Sequence, residues 1–160
     1  MAFEKINGIR TYYLVDGSND CPTITFIHGQ AFNIGSWSRQ LDAFKDQFQI
    51  LRIDLRGHGL TEVGELGNGL RMLNMAEDII AIWDHLEIKR SHYVGKSLGG
   101  MIGFDLALHN TDRLKSLTLV ATQGKMPCGS LDRMRRNVEK YRKSPLKMKL
   151  AAGQLLNRYL

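Results

Sequence analysis

The sequence predicts an α/β domain with a mostly parallel sheet and helices on both faces. Over residues 1–124, short runs rich in β-branched and apolar residues alternate with helical patterns, which is typical of successive βα units. No repeat, linker or low-complexity stretch interrupts this part of the chain. The 160 residues are 43% hydrophobic and 24% charged, a composition typical of a globular domain long enough to bury one core.

The first element is predicted to be a β-hairpin. Phe3–Ile6 and Arg10–Val15 have strand patterns and flank Asn7 and Gly8. Both turn residues tolerate positive φ, which favours a tight two-residue turn. The sheet is therefore expected to open with an antiparallel pair.

The next two strands are predicted at Thr23–Ile27 and Gln49–Ile53, with a short helix near Trp37–Phe44 between them. Both strands are short apolar runs, and each is followed by a loop that contains glycine. These two strands are expected to lie in the interior of the sheet.

The remaining elements of the core are predicted between residues 74 and 121. Asn74–Leu86 has helical apolar spacing, and Asn74 can cap its first turn. Ser91–Val94 is expected to form the fifth strand and to run directly into a helix over Leu98–Leu108. The sixth strand, Leu114–Ala121, is expected to be apolar and buried on both faces.

The pattern changes after residue 124, so two parts are predicted: 1–124 as an α/β core and 125–160 as a separate helical part. Two basic amphipathic helices are expected near 130–143 and 145–159. Ten of the 22 basic residues lie from Lys125 onward, against two acidic ones, so the net charge of +6 comes from this segment. A solvated helical face explains it better than a nucleic-acid surface, because aromatic residues are not interleaved with the charges. Docking of this segment on anionic lipid is a further alternative.

Composition also limits the compartment and the chemistry. The first residues lack the pattern of a signal peptide, and no run approaches the roughly 18 apolar residues of a membrane span. A cytoplasmic location is therefore expected. Cys21 and Cys128 lie far apart and outside any Cys/His cluster, so neither a disulfide framework nor a metal site is predicted.

The strongest motif is Gly95-Lys96-Ser97-Leu98-Gly99, a G-x-S-x-G sequence between a predicted strand and a predicted helix. In this context Ser97 would lie on a sharp, strained turn, where glycines two positions away avoid steric clashes. The amide of Leu98 would face a developing oxyanion at the amino end of the helix. The motif predicts that Ser97 is a catalytic nucleophile.

A second motif, His28-Gly29-Gln30, follows the third strand. Acyl transfer needs two amide donors that converge on the oxyanion, and the loop after this strand is where the second donor arises. The amide of Gln30 is the predicted donor. Gly29 lets the backbone approach closely, and His28 is expected to brace the loop by hydrogen bonding.

Two other patterns in the sequence do not indicate a catalytic role. The six residues Asp54–Gly59 contain Asp, Arg, His and two glycines, which predicts a tight turn with an internal polar network. His58 is the one residue there that could act as a base, but it lies on the wrong loop. A phosphate-binding loop ending at Ser97 would need glycine at position 90, which is Arg90.

Together, these motifs resemble the α/β-hydrolase superfamily, and most of all its enol-lactonase, non-haem haloperoxidase and carboxylesterase branch. The resemblance covers about residues 3–124 and includes Trp37, eight residues after Gly29. It implies an α/β-hydrolase fold with Ser97 as nucleophile, the amides of Gln30 and Leu98 as oxyanion hole, and a small ester-like substrate. No cofactor is implied. Lys96 departs from relatives, which often have His, Asn or Gln before the serine.

In this family a helical cap follows the sixth strand, and two later strands supply the acid and the histidine. We therefore expect 125–160 to begin the cap, and both partners of Ser97 to be missing from these 160 residues. His109 lies about 18 Å along its helix from Ser97 at 1.5 Å per residue, and His85 and His92 lie at the opposite end of the sheet.

The unpaired sheet edge of such an incomplete fold predicts a homo-oligomer or pairing with the missing C-terminal half. An alternative of a different class is a ligand-binding or interaction protein on a catalytically incomplete hydrolase fold.

Overall fold

The computed structural model describes residues 2–64 and 71–125, with isolated positions 129, 132 and 136. The chain divides into two compact units, Met1–Gln123 and Gly124–Leu160. The two basic helices expected near 130–143 and 145–159, and the lipid-docking alternative that depends on them, lie outside the described residues.

The described part of the first unit contains one six-stranded sheet in the order β1-β2-β4-β3-β5-β6. Its strands are β1 (Ala2–Ile6), β2 (Ile9–Asp16), β3 (Thr23–Ile27), β4 (Gln49–Ile53), β5 (Ser91–Lys96) and β6 (Leu114–Val120). β1–β2 and β2–β4 pair antiparallel, whereas β3–β4, β3–β5 and β5–β6 pair parallel. The predicted mostly parallel α/β sheet is confirmed, including its antiparallel opening.

The helical segments follow the predicted order. They are a 3-10 helix (Ile34–Gln40), α1 (Leu41–Phe44), α2 (Met72–His85), α3 (Leu98–His109) and a short 3-10 turn (Thr111–Arg113). The predicted start of α2 was wrong, because the helix begins two residues before Asn74 and its N-cap is Arg71, without a side-chain cap hydrogen bond. The two additional residues, Met72 and Leu73, are exposed, and the buried face of the helix begins at Met75.

Two hydrophobic clusters cover the two faces of the sheet. Alternate residues of β3 point to opposite faces: Phe26 packs against Trp37 with ring centroids 4.9 Å apart, while Thr25 accepts a hydrogen bond from Trp83 Nε1 at 2.8 Å. The larger cluster joins the sheet to α2 and α3, and the smaller one joins it to the 3-10 helix and α1. Helices on both faces of the sheet are thus confirmed.

The expectation for β6 was wrong. Of its residues only Leu114 is buried, and four of the seven are exposed. Lys115, Ser116 and Thr118 interrupt the apolar run, and within the described residues β6 is an end strand that pairs with β5 alone. A polar, one-sided pattern is what an end strand with one open face requires.

Candidate active site

The predicted site lies where three strands end at the same edge of the sheet. Ile27 at the end of β3 is in register with Ile53 of β4 and with Gly95 of β5. The carboxyl ends of parallel strands collect their following loops at one edge. The loops that begin at His28, Asp54 and Ser97 are therefore neighbours.

Ser97 has a strained backbone conformation between β5 and α3. Its φ is 51° and its ψ is −110°, a combination that costs a non-glycine residue about 1–3 kcal/mol. Its N–H donates to the carbonyl of Val120 at 2.9 Å. Its carbonyl accepts from Thr122 Oγ1 at 2.7 Å and from the amide of Met101 at 3.0 Å. The surrounding structure therefore holds the strained serine on both sides.

The glycines around Ser97 make this turn possible. A side chain at Gly95 would overlap the backbone carbonyl of Gly99. A Cβ at Gly99 would lie 2.5 Å from the carbonyl oxygen of Ile27 and 2.9 Å from that of His28. Real Cβ atoms do not approach so closely, which agrees with the steric argument made from the sequence.

The turn after β3, residues 29–32, packs directly against Ser97. A Cβ at Gly29 would lie 3.3 Å from Ser97 Cβ. The carbonyl of Gly29 accepts the amide of Phe32 at 3.1 Å, and Ala31 has a φ of 63°, a combination typical of a type II turn. We call this segment the Gly29 turn.

The two amides proposed as oxyanion donors flank this contact. Leu98 is the first residue of α3, so its N–H has no partner within the helix. Gln30 is exposed in the Gly29 turn. Among the described residues, neither amide donates a hydrogen bond. Both are therefore available to a ligand, and their convergence on one oxyanion stays a prediction.

His28 is fully buried and braces the site. The amide of Leu55 donates to its Nε2 at 3.1 Å, so the proton lies on Nδ1, which donates to the carbonyl of Gly29 at 2.8 Å. Burial lowers the pKa of His28, and His58 lowers it further, against opposing effects of the Gly29 carbonyl and Asp54. Both ring nitrogens are engaged, so a neutral His28 links two loops.

Asp54 organises the loop after β4, over Asp54–Gly59. Its buried carboxylate accepts the amide of Ile34 at 2.7 Å and that of Leu60 at 2.9 Å. Its backbone carbonyl accepts Thr61 Oγ1 at 2.7 Å. These bonds join the loop to the start of the 3-10 helix and to residues 60 and 61, so the network of Asp54 extends beyond the six residues for which the sequence predicted an internal one.

An ion pair attaches the same loop to α2. The guanidinium of Arg56 donates two hydrogen bonds of 2.6 Å to the buried carboxylate of Asp78, and Asn7 Nδ2 donates to that carboxylate at 3.0 Å. A bidentate pair of this kind fixes orientation as well as distance. The hairpin, the loop after β4 and α2 are thereby connected.

Lys96 extends its side chain toward the Gly29 turn. Its Nζ lies 5.1 Å from the ring centroid of Phe32, within the range of a cation–π contact. Phe32 belongs to the turn that contacts Ser97, so a positive charge lies beside the candidate site. The sequence pointed to Lys96 as unusual, and only the structure shows its aromatic neighbour.

All five histidines lie in the described residues, and none of them is hydrogen-bonded to Ser97. Besides His28, they contact a backbone carbonyl, two carboxylates and a serine: His58 with Arg56 (3.1 Å), His85 with Glu4 (3.9 Å), His109 with Asp105 (3.8 Å) and His92 with Ser116 (2.8 Å). Among the described residues, the hydroxyl of Ser97 thus has no hydrogen bond to a histidine.

The sequence did not predict two residues that support the tight turn at Ser97 between β5 and α3, which we call the elbow. Tyr93 is fully buried, and its hydroxyl donates to the carbonyl of Gly99 at 2.6 Å. Burial raises the pKa of Tyr93. A buried tyrosine needs a partner for its hydroxyl, but nothing in the sequence says which. Thr122, which bonds Ser97, carries no sequence signal at all.

Other features of the described residues do not compete with this site. A shallow cleft of about 690 Å³ lies at the opposite end of the sheet, where Arg113 is already bonded to Asp84 and to the carbonyl of Ile88. No cluster of three or more potential metal ligands occurs in the part of the chain that the structure describes. Within that same part, no helix has the length and apolarity needed to span a membrane.

Comparison with known proteins agrees with the fold. The family model for the alpha/beta hydrolase fold matches residues 22–148. A 3-oxoadipate enol-lactonase of Acinetobacter baylyi is 30% identical over 112 residues, which cover 70% of this chain and 41% of that protein. The chain therefore belongs to the α/β-hydrolase family, and it spans less than half the length of this relative.

Solved structures give the same result. A hydrolase from Pseudomonas aeruginosa superposes with a TM-score of 0.86 at 29% identity, over 98% of this chain and 58% of that one. The enol-lactonase of Burkholderia xenovorans superposes with a TM-score of 0.84 at 26% identity, over 96% and 58% respectively. Both neighbouring structures are named as hydrolytic enzymes, one as a hydrolase and the other as an enol-lactonase.

Proposed function

We propose that this chain carries the nucleophile of a serine hydrolase that cleaves a carboxylic ester, lactone or thioester through an acyl-enzyme at Ser97. The observation that supports it most is the strained Ser97 in contact with the Gly29 turn. Strain of this kind persists where the surrounding structure enforces it, and it is commonest at active sites. The similarity to two enol-lactonases supports an ester-like bond as the target.

In the proposed reaction Ser97 Oγ attacks the substrate carbonyl carbon while a base takes its proton. The negative charge that develops on the carbonyl oxygen is held by the amides of Gln30 and Leu98. The bond to the leaving alcohol then breaks, and the alcohol receives the proton from the base. Water next attacks the acyl group through the same base, which releases the acid and restores the Ser97 hydroxyl.

The base and its acidic partner are proposed to come from outside these 160 residues. The five histidines of the chain contact other groups, and both ring nitrogens of His28 are engaged. Sequence beyond residue 160 or a partner chain would supply the pair, with the edge of β6, which no described strand covers, as the surface for pairing. We also propose that residues 125–160 begin a helical cap.

The second candidate function is a binding or interaction module. The free amides beside Ser97 could hold an anionic group of a ligand without any chemistry, because backbone donors at a helix N-terminus suit anions. The missing hydrogen bond to Ser97 Oγ among the described residues favours this alternative. The two functions differ in whether Ser97 reacts.

The reactivity of Ser97 can be measured by intact mass after incubation with a fluorophosphonate, which modifies activated serines. We use the term whole protein for the 160 residues together with the sequence or partner chain that supplies the base. We expect the whole protein to gain one adduct that Ser97→Ala abolishes. Ser38→Ala, which removes a serine hydroxyl at an exposed position of the 3-10 helix, should label normally. The 160-residue chain by itself should label weakly, since its base is absent.

Two outcomes would contradict the proposal. Folded whole protein without any adduct would exclude an activated Ser97 and leave the binding module. An adduct that persists in Ser97→Ala would place the reactive group elsewhere. Strong labelling of the 160-residue chain alone would instead mean that the base is supplied within it or by a second copy.

A further inference from the structure

The end of β6 contacts Ser97 from both sides of its backbone. The carbonyl of Val120 accepts the Ser97 amide at 2.9 Å, and Thr122 Oγ1 donates to the Ser97 carbonyl at 2.7 Å. Two residues of one short segment thus hold the two polar groups of a single strained residue. We call residues 120–122 the β6 clamp.

The clamp depends on a second unusual backbone conformation. Ala121 has a φ of 47°, a value that L-residues other than glycine rarely adopt. This turn ends the strand after Val120 and brings the Thr122 side chain back over the elbow. There it also packs against α3, because a side chain at Gly100 would overlap Thr122.

The geometry of the peptide bond connects this clamp to the oxyanion donor. The carbonyl of Ser97 and the amide of Leu98 belong to the same peptide unit, which is planar and trans. Fixing the carbonyl oxygen therefore fixes the direction of the Leu98 N–H on the other side. A hydrogen bond accepted by the carbonyl also polarises the unit, which makes its N–H a stronger donor.

We propose that Thr122 is a positioning residue that aims the Leu98 amide at the oxyanion by holding the Ser97 carbonyl. This inference rests on the proposed hydrolase function, since the donor matters only if an oxyanion forms. Met101 also donates to the Ser97 carbonyl, at 3.0 Å, but it belongs to α3 and moves with it. Thr122 is the contact that ties the peptide to the sheet.

Two matched pairs of variants separate the hydroxyl of Thr122 from its methyl group. Thr122→Val keeps the shape and removes the hydroxyl, while Thr122→Ser keeps the hydroxyl and removes the methyl. If Thr122→Val fails to fold, Thr122→Ala and Thr122→Ser give a second pair that differs only in the hydroxyl. Thr118→Val makes the same chemical change at an exposed position of β6.

The catalytic readout is the hydrolysis of a p-nitrophenyl ester by the whole protein, with kcat and KM determined separately. We expect Thr122→Val to lower kcat about 10- to 100-fold, as for a loosened oxyanion donor, with KM little changed. Thr122→Ser should retain most of kcat, and Thr118→Val should match the wild type. An unchanged kcat in Thr122→Val, or an equal loss in Thr122→Ser, would overturn the role of the hydroxyl.

A second readout does not depend on activity. Hydrogen exchange of the Ser97 amide reports how firmly the clamp holds the elbow. We expect exchange to be faster in Thr122→Val than in Thr122→Ser or the wild type, and equal rates would overturn the clamp. If the wild type hydrolyses no ester, the proposed function fails, while this measurement still decides whether Thr122 holds Ser97.

Discussion

Two loops at the same edge of the sheet place their positive φ angles on different types of residue. In the loop Asp54–Gly59, the positive φ angles fall on Gly57 (73°) and Gly59 (54°), where they cost little. In the elbow after β5, the positive φ falls on Ser97 (51°), where it strains the backbone. One loop is relaxed and the other is held under strain.

The two loops also differ in how completely their polar groups are hydrogen-bonded. Both oxygens of the Asp54 carboxylate accept backbone amides, those of Ile34 and Leu60, so this carboxylate is already bonded within the fold. At the elbow, the backbone of Ser97 is fully bonded, but its hydroxyl and the Leu98 amide are not bonded among the described residues. A loop whose polar groups are all satisfied is architecture, and one that pairs strain with free polar groups is a candidate for chemistry.

The largest effect on stability is expected from breaking the relaxed loop. Asp54→Ala leaves the part-buried amides of Ile34 and Leu60 without their carboxylate acceptor, which should lower the free energy of unfolding by about 2 kcal/mol. Asp42→Ala, which removes an exposed carboxylate paired with Lys45, is the control and should change stability little. Urea unfolding followed by circular dichroism measures both. Equal stability of the two variants would contradict the structural role of Asp54.

In the elbow, by contrast, replacing the strained residue with glycine should increase stability. Ser97→Gly replaces the residue with one that adopts positive φ freely, so stability should rise by about 1 kcal/mol relative to Ser97→Ala, which keeps the strain. Both variants lose the hydroxyl and should fail to label with a fluorophosphonate. If Ser97→Gly were no more stable than Ser97→Ala in urea, the backbone at this position would not be strained.

A smaller effect, dependent on pH, is expected from His28, which links the loop Asp54–Gly59 to the Gly29 turn. Burial lowers the pKa of His28 below its ordinary value of 6.5. The folded protein therefore favours neutral His28, whose contribution to stability is complete above pH 6.5 and is lost as the pH falls through the lowered pKa. Unfolding midpoints between pH 7 and pH 5 should fall in the wild type.

The variants assign this pH dependence to one residue. His28→Gln can still accept the Leu55 amide but does not titrate, so its midpoint should fall less steeply over the same range. His109→Gln, at a side chain that is 60% exposed, should keep the wild-type slope. His92, whose pKa burial also lowers, contributes equally in all three proteins. A wild-type slope in His28→Gln would exclude His28 as the source.

Local sequence patterns sufficed for the elements and for the nucleophile motif. Asn7 and Gly8 do adopt positive φ at 47° and 82° in a hairpin turn, because both residues tolerate the conformation that a two-residue turn needs. The bounds of β3 and β4 were predicted to the residue, since each is a short apolar run. The glycines around Ser97 indicated a tight elbow for the same local reason.

Apart from the start of α2, the errors and omissions depend on how segments pack together in the fold. The exposure of β6 depends on its place at the end of the sheet, which the pattern of Leu114–Ala121 does not encode by itself. The contacts of Thr122 with Ser97 and of Tyr93 with Gly99 depend on the parallel register of β5 and β6 and on the packing of α3. Likewise, no spacing rule connects Asp54 with Ile34.

The sequence by itself thus determined which backbone segments form strands and helices and which residue types stand at the turns, because these depend on φ, ψ preferences and on local periodicity. Only the tertiary structure decided that His28 is a neutral brace, that Lys96 lies beside Phe32, and that Thr122 holds the carbonyl of Ser97. Hydrogen bonding and burial are set by neighbours in space, and a single sequence without its fold does not say which neighbours those are.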